Sequence, residues 1–596
     1  MNYAKLITAL KACCLCLIAV LGLHLLSVKS SAQTARIKHV IDMQKKDNTQ
    51  YLGRDLWFTM SQNYQNQGGK YYNLYVTSPN NTSIFIQVTG GTTSKWPITA
   101  GQVLTFTVPL GWEVTSSGVV EPKAVRVWSN DADLTAYLLS RNPATSDGML
   151  IIPTIGWGTE YVVAAYESLY EGYGTTYDFP SEFSIVANQN ATICTITPSV
   201  DLRCQNGITL VHKAHQQFTE ILNRGECVQY KAVLATNCDD YDVSGTLVKS
   251  NNPVGIVGAS QCPNIPCENP YCDHICEMIP PIRTWANTYL TIPFSTRVAG
   301  DSYLIIGSKD GQNIYLNDNG SKTNLYCTLP FKYDRYLRPD VIGSSVWTSD
   351  APFMLVQYIN STTYEAQNGG SANGRGDPAM VVVNAVEQYT PRVIFQTPNI
   401  QGSNGFSNYI NVMVDSNIST IVNTFVDGVP INSAKGASRY PIPGSTYMGW
   451  RIANATPGKH EIVSPLPIGV YVYGYGSYDS YAWAGSLGIR TFNDPDTIPP
   501  VAVTKGICFD AHVDLSDDHI APPASKISEM KVDSIYNMNY DVDLAYQAGS
   551  AMPKTYYDMS VVDVAKEAYL KVETHDFAGN RTTVTSTYVP QTATIT

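Results

Sequence analysis

Four cysteines and a histidine crowd into one stretch, Cys262-x4-Cys267-x4-Cys272-Asp-His274-x-Cys276. Thiolates and an imidazole can hold zinc tetrahedrally. The spacing lacks the paired Cys-x2-Cys of such sites, and an exported chain turns the same residues into disulfides. Disulfides are therefore expected, with His274 orienting the loop through a hydrogen bond and no metal bound. A second group, Tyr471, Tyr473, Tyr475, Tyr478, Tyr481 and Trp483, alternates with Gly and Ser. Every second residue of a strand shares a face. An exposed row of Tyr471, Tyr473, Tyr475 and Trp483 would stack sugars or dock protein, and inward packing of half the group is the competing reading.

Other candidates are weaker. Arg375-Gly-Asp377 spells an adhesive tripeptide in the Gly-rich loop from Gly369 to Pro378. His212 and His215 would share a helix face but oppose each other on a strand, so packed or solvated histidines are the simpler account. Asp514 to Asp518 could hold calcium, but turn chemistry explains them more simply. No His-Glu-x-x-His, Gly-x-Ser-x-Gly or phosphate loop occurs, and no carboxylate pair stands out for glycoside hydrolysis. No catalytic residue and no cofactor are expected.

The elements that must position these residues repeat four times. One signature is a hairpin with a polar tip, at Leu74 to Ile84, Phe183 to Ile193, Tyr303 to Ile314 and Val412 to Ile421; the final isoleucines lie 109, 121 and 107 residues apart. The other is a polar turn running into an apolar strand, starting at Ser129, Ser250, Ser349 and Ser464, which lie 121, 99 and 115 apart. The order never varies, and such repetition is the first thing to seek in a chain. Aromatic strands open the copies, at Gly53 to Phe58, Gly158 to Val163, Trp285 to Ile292 and Pro391 to Phe395. Gly, Pro and Asn between short apolar runs exclude long helices; the best helical candidate is a turn or two near Val211 to Leu222.

At 596 residues the chain outgrows a single core. Only 15% of it is charged, against about 25% in an average soluble domain, and polarity comes from Asn, Ser, Thr and Gly. The net charge of -11 is spread without runs, so no nucleic acid partner is expected, since phosphate binding needs a basic face. Residues 1–32 read as a signal peptide, with Lys5 and Lys11, an apolar core from Ala12 to Leu26, and Ser30 and Ala32 before the cut. That core is shorter than the roughly 20 residues of a membrane span, so no transmembrane span is expected in the mature chain. Three of the 13 cysteines fall there, and nine of the remaining ten lie between Cys194 and Cys327. Residues 33–50 form a polar leader, 491–500 a linker around Asp494 to Pro500, and 501–596 a further alternating segment.

Laid out in this way, residues 51–490 resemble the N-terminal domain of the IgGFc-binding protein family. The carrying residues are Gly53 to Phe58, Asp147 to Pro153 with Gly158 to Tyr161, and Gln261-Cys262. Cys272-Asp273-His274, Met278 to Pro281 with Trp285, Gly376-Asp377-Pro378 with Met380, and Glu387 to Tyr389 complete the series. The resemblance implies an extracellular, all-β, non-catalytic binding or adhesive module, found also in bacterial secreted proteins. Cys262 and Cys272 both sit in these motifs, which implies a bridge between them and leaves Cys267 to Cys276. Gly376-Asp377-Pro378 belongs to a motif that needs no integrin. The segment ending in His575-Asp-Phe-Ala-Gly-Asn580 resembles the immunoglobulin-like modules of bacterial surface proteins.

The expected fold is all-β: four related β-sandwich-like repeats of about 110 residues, then an Ig-like β-sandwich, with a propeller-like ring as the alternative architecture. The expected function is adhesion or recognition of a glycan, glycoprotein or surface protein by a secreted or cell-surface chain. A structural spacer is the second reading and a carbohydrate-active enzyme the third.

Overall fold

A computed structural model describes residues 53–590, apart from 65–68, 170–178, 204–210, 234–237, 239–240, 319–323, 371–373, 401–404, 489–497, 508, 520–523, 525, 534–535, 547–551 and 577–579. The signal peptide, the polar leader, most of the linker, Cys204 and Cys508 lie outside these residues.

Residues 53–488 form four units that repeat one antiparallel scheme. Each starts with an opening strand: Asp55–Phe58, Gly158–Val162, Ala286–Thr291 and Thr390–Thr397. Each then has a hairpin whose first arm is Tyr71–Thr77, Ser181–Ala187, Asp301–Gly307 or Ser407–Asp415. A long strand follows, Leu247–Ser260, Ser345–Ile359 and Gly458–Gly476 in the last three units. In the first unit it is broken into Val125–Trp128 and Thr135–Asn142. Last comes a closing strand: Thr145–Ile151, Ile275–Met278, Ala379–Val382 and Asp479–Ala484.

The second sequence signature marks where the long strand changes sheet. Its first half pairs with the opening strand, and its second half with the first hairpin arm and the closing strand. Pairing lapses at Asn251-Asn252-Pro253, Asp350-Ala351-Pro352 and Pro465-Leu466-Pro467. Proline offers no N–H and is tolerated at such breaks. Two signature serines hold the break: Ser250 Oγ donates to the Asn252 carbonyl at 2.6 Å within the turn, and Ser349 Oγ to that of Asn313, in the hairpin's second arm, at 2.8 Å. Each of the last three units is thus two sheets bridged by one bent strand around an apolar core, and in the first unit the two sheets are separate.

The connectors between units repeat too. Closing strands lead to opening strands through single 3-10 turns, Thr154–Gly156, Ile282–Thr284 and Val386–Gln388. Trp157 and Trp285 are buried beside the first two and donate Nε1–H to the carbonyls of Ile152 at 3.0 Å and Pro280 at 3.4 Å. Tyr161 OH then ties the Val254 carbonyl, at 2.6 Å, just beyond the crossing.

The closing strands meet one another, the first with the second and fourth, and the third with the second and fourth. The units are therefore sandwiches, as the preferred reading held, and their closing strands surround a common axis. Residues beyond Pro500 form sheets of four and three strands around a separate core that includes Val513, Leu515, Tyr557 and Leu570.

Three expectations are corrected. The stretch from Val211 to Leu222 contains two strands, Val211–His212 and Phe218–Leu222, not a helix. His212 stacks on Phe218 at 3.5 Å while His215 sits in a turn at φ +61°, and no group of metal-ligating residues forms among the described residues. In the fourth hairpin the second arm is a short helix, Ile418–Val422, because the Asn417 side chain caps it by accepting the Ser419 N–H at 2.9 Å. Cys267 bonds to Cys238, while Cys262 bonds to Cys272. Cys276 is a buried thiol: it lies within a closing strand and points into the core, away from the loop that carries Cys267.

Candidate functional site

A closing strand pairs with its long strand along one edge only. The N–H groups of the other edge face the axis, where a buried donor must be satisfied and an open edge invites wrong pairing. Carboxyls do this in layers spaced two residues apart. Asp273 Oδ1 accepts the N–H of Ser146 at 2.6 Å and His274 at 2.9 Å, and its Oδ2 accepts Ser480 at 2.9 Å. Asp147 Oδ1 accepts Gly148 at 2.8 Å and Ala482 at 2.9 Å; its Oδ2 accepts Cys276 at 3.2 Å and Met380 at 3.1 Å. One carboxyl thereby joins all four units. In the next layer the N–H groups of Met278, Val382 and Leu150 face Glu277.

The motif residues converge on the Asp273 end of this axis. Pro378 stands two residues before Met380, at the place where the other three units give Asp273 an N–H, and it has none to offer. Asp377 donates its own N–H to Ser480 Oγ at 2.9 Å. Gly376 has φ +78°, and a Cβ there would lie 2.4 Å from the Tyr475 ring. His274 is buried, and its Nδ1–H donates to the Ser260 carbonyl at 3.0 Å, so the ring is neutral and orients the loop. Asp479 is paired with Arg141, both buried. Burial raises the pKa values of Asp147, Asp273 and Glu277, with Asp377 adding to the effect on Asp273 and Asp147 to that on Glu277. Burial also pushes Asp377 up to about 8 and His274 down to about 3. Asp377 is only 1% exposed, so the Arg-Gly-Asp tripeptide cannot present its carboxylate to a receptor.

The aromatic row is not a surface. Tyr471, Tyr473, Tyr475 and Trp483 are all buried, because the long strand is covered on both faces. They join units instead. Tyr473 OH accepts the Ser295 N–H at 3.0 Å, Tyr475 OH donates to the Ser295 carbonyl at 2.9 Å, and Tyr471 OH accepts the Asn384 N–H at 2.8 Å. Trp483 lies against Gly148 and Tyr137 of the first unit.

The exposed aromatics at this end are two others, Tyr271 at 52% and Tyr478 at 40%. Their rings lie 4.8 Å apart. Tyr271 adjoins Cys272 in the loop stapled by both disulfides, and Tyr478 sits in the turn before the fourth closing strand. Tyr478 N–H donates to the Gly374 carbonyl at 2.9 Å. Beside them Arg375 is exposed, with Nη2 on Ser407 Oγ at 2.8 Å. Three units have a left-handed residue at one shared position, four before the residue whose N–H Asp147 accepts: Ala144 at φ +60°, Gly376 at +78° and Tyr478 at +47°. In the second unit the left-handed residue comes one position earlier, Tyr271 at +75°. Glycine adopts that backbone most cheaply, yet two units carry tyrosine in it. Sequence reasoning named Tyr478 in the aromatic group but left it out of the proposed row, and it missed Tyr271; the available signal was a tyrosine directly flanking Cys272-Asp273 and Asp479.

A ring of β-sandwich units with a disulfide-stapled loop face and acids committed to backbone N–H groups defines a scaffold that presents loops. Residues 147–474 match the family described as IgGFc binding protein. This chain belongs to that family. It is also similar to native E. coli alpha-2-macroglobulin, at 9% identity over 90% of this chain and 40% of that chain, with a TM-score of 0.13. Similarity to PcdhgB3 EC1-4 covers 60% of this chain and 90% of that chain at 10% identity and a TM-score of 0.12. Human Desmocollin-1 ectodomain is matched over 88% of this chain and 94% of that chain, at 9% identity and a TM-score of 0.12. The chain thus spans 40% of the length of the alpha-2-macroglobulin it matches. No curated protein matches it. Among the described residues no helix is long and apolar enough to cross a membrane.

Proposed function

We propose that this chain is a non-catalytic extracellular recognition protein whose stapled loop face, centred on Tyr271 and Tyr478, docks a surface protein or glycoprotein. The observation that carries this is a pair of exposed, touching tyrosines, each held in left-handed backbone ahead of a closing strand. Left-handed backbone costs a non-glycine residue roughly 1–2 kcal/mol, and such strain gathers at binding sites. The contact between the two rings returns about 0.5–1.5 kcal/mol, while both stay partly open to solvent. Tyrosine and arginine dominate the centres of protein interfaces, and loops held rigid by disulfides lose little entropy on binding.

The family description favours a protein partner. The signal peptide read in residues 1–32, the two disulfides and the family support export or surface display, with residues 51–490 as the recognition domain and 501–596 as an Ig-like module of a bacterial surface protein. The test is binding of the oxidised full chain to a panel of immunoglobulins, mucin-type glycoproteins and bacterial surface proteins. Saturable capture that Tyr271→Gly with Tyr478→Gly loses, in a chain at least as stable as the parent, supports the reading. Capture that survives both substitutions sinks it, and silence across the panel favours a structural spacer.

A further inference from the structure

A second site lies far from the loop face, in a cleft of about 350 Å³ between the first unit and the C-terminal sheets. That volume falls in the range of ligand pockets, about 300–1,000 Å³, which favour the junctions between domains. Arg54, Arg126, Trp128 and Asn130 line it from the first unit, and Glu529 and Tyr546 from the other side. Lys531, two residues from Glu529, pairs with Asp133, which also pairs with Arg54 at 3.5 Å.

Arg126 is held unusually firmly. Its guanidinium lies 4.4 Å from the Trp128 ring and 5.5 Å from that of Trp57, and Phe85 stacks on the far side of Trp128 at 5.3 Å. Its Nε–H donates to Asp55 Oδ1 at 2.6 Å, and Asp55 Oδ2 accepts the Trp57 indole N–H at 3.0 Å. The two Nη groups make no hydrogen bond among the described residues, and they belong to a side chain that lines the cleft. A planar fork, locked in orientation by Asp55 at Nε and with its two Nη groups open, is the group that reads a carboxylate through two parallel bonds.

The remaining walls narrow the ligand. Met530 and Leu544 offer apolar surface, while Asn130 and Ser528 stand among them, the mixture that suits a ring with one C–H face and a rim of hydroxyls. Charge favours an anion: Arg54 and Lys531 share Asp133, and Arg126 and Arg224 share Asp55. Burial lifts Glu529 to about 7 against the pull of Lys531, which lessens its repulsion of an anion near neutral pH. From the free fork, the cavity and the cation excess, we infer that this cleft binds an acidic saccharide, a pyranose bearing a carboxylate, with Arg126 clasping the carboxylate.

The experiment is calorimetric titration of the full chain with D-glucuronate, with N-acetylneuraminate and with glucose as the neutral control. At least one acidic sugar should bind saturably, at least tenfold tighter than glucose. Glucuronate alone would assign the site to uronic acid polymers, and N-acetylneuraminate alone to sialylated glycoproteins. Arg126→Lys, which keeps the charge but loses the fork, should weaken binding tenfold or more. Asn130→Trp, at an exposed rim position, should block the cleft even if the Arg126 variant fails to fold. Equal binding of glucose, no binding of either acid at millimolar concentration, or undiminished binding by Asn130→Trp overturns the inference.

Discussion

Replacing Asp147 by asparagine asks whether one shared acceptor holds the four units together. Its carboxyl takes N–H groups from Gly148, Cys276, Met380 and Ala482, one in each closing strand. The substituted side chain would keep one oxygen, enough for the pair at Gly148 and Ala482. Its amide N–H₂ would then meet the N–H groups of Cys276 and Met380, donor against donor. Flipping the amide only changes which pair is orphaned. An unsatisfied buried donor costs about 1–3 kcal/mol, so two cost about 2–6 kcal/mol. That is a large share of the roughly 5–15 kcal/mol that stabilises a folded domain. Asp147→Ala, which orphans every inter-strand donor, should lose at least as much. The assay is urea unfolding followed by tryptophan fluorescence, with amide exchange read at Cys276, Met380 and Ala482. The midpoint should fall and all three amides should lose protection together. A loss under about 1 kcal/mol with protection intact at all three would refute the shared-acceptor argument.

Gly376→Ala should lower the melting temperature through a loss of about 2 kcal/mol or more, since the new Cβ meets both a left-handed backbone and the Tyr475 ring. Burial raises Asp377 and Glu182 to about 8 and Asp301 to about 7. The folded chain then keeps protons that the unfolded chain releases near pH 4. The stability these groups contribute is full below about pH 4 and is lost as pH rises through 7 to 8, so the urea midpoint should be higher at pH 5 than at pH 8.5. A rise toward alkaline pH would contradict this. Non-reducing peptide maps should link Cys238 to Cys267 and Cys262 to Cys272, with Cys276 alkylated only after unfolding. Cys262→Ser should lose roughly 2–3 kcal/mol from opening its short loop.

What could be read from the chain followed from local chemistry. Ser250-Asn-Asn-Pro and its counterparts are visible because a strand that changes sheet needs a proline-tolerant break, and that need is written in consecutive residues. The alternation of Tyr471, Tyr473 and Tyr475 marked a strand, but period two does not say that both faces are covered. Their burial depends on Ser295 and Asn384, far away in the chain. The motif residues Asp273, Asp377 and Pro378 were visible as a series, while their meeting at one axis depends on strands from four units. Asp147 Oδ1 accepts from Ala482, 335 residues distant, and nothing near Asp147 announces that. Closeness in sequence misled for Cys267, whose partner Cys238 is 29 residues away, beyond the dense cluster.

Hydrogen exchange footprinting of the full chain with the partner it captures tests the recognition face most directly. The account predicts protection confined to residues 261–274, 374–376 and 476–479, around Tyr271 and Tyr478, and the loss of that protection in the double glycine variant. Protection centred on the C-terminal sheets or on the outer faces of the four units, with those loops unchanged, would contradict it.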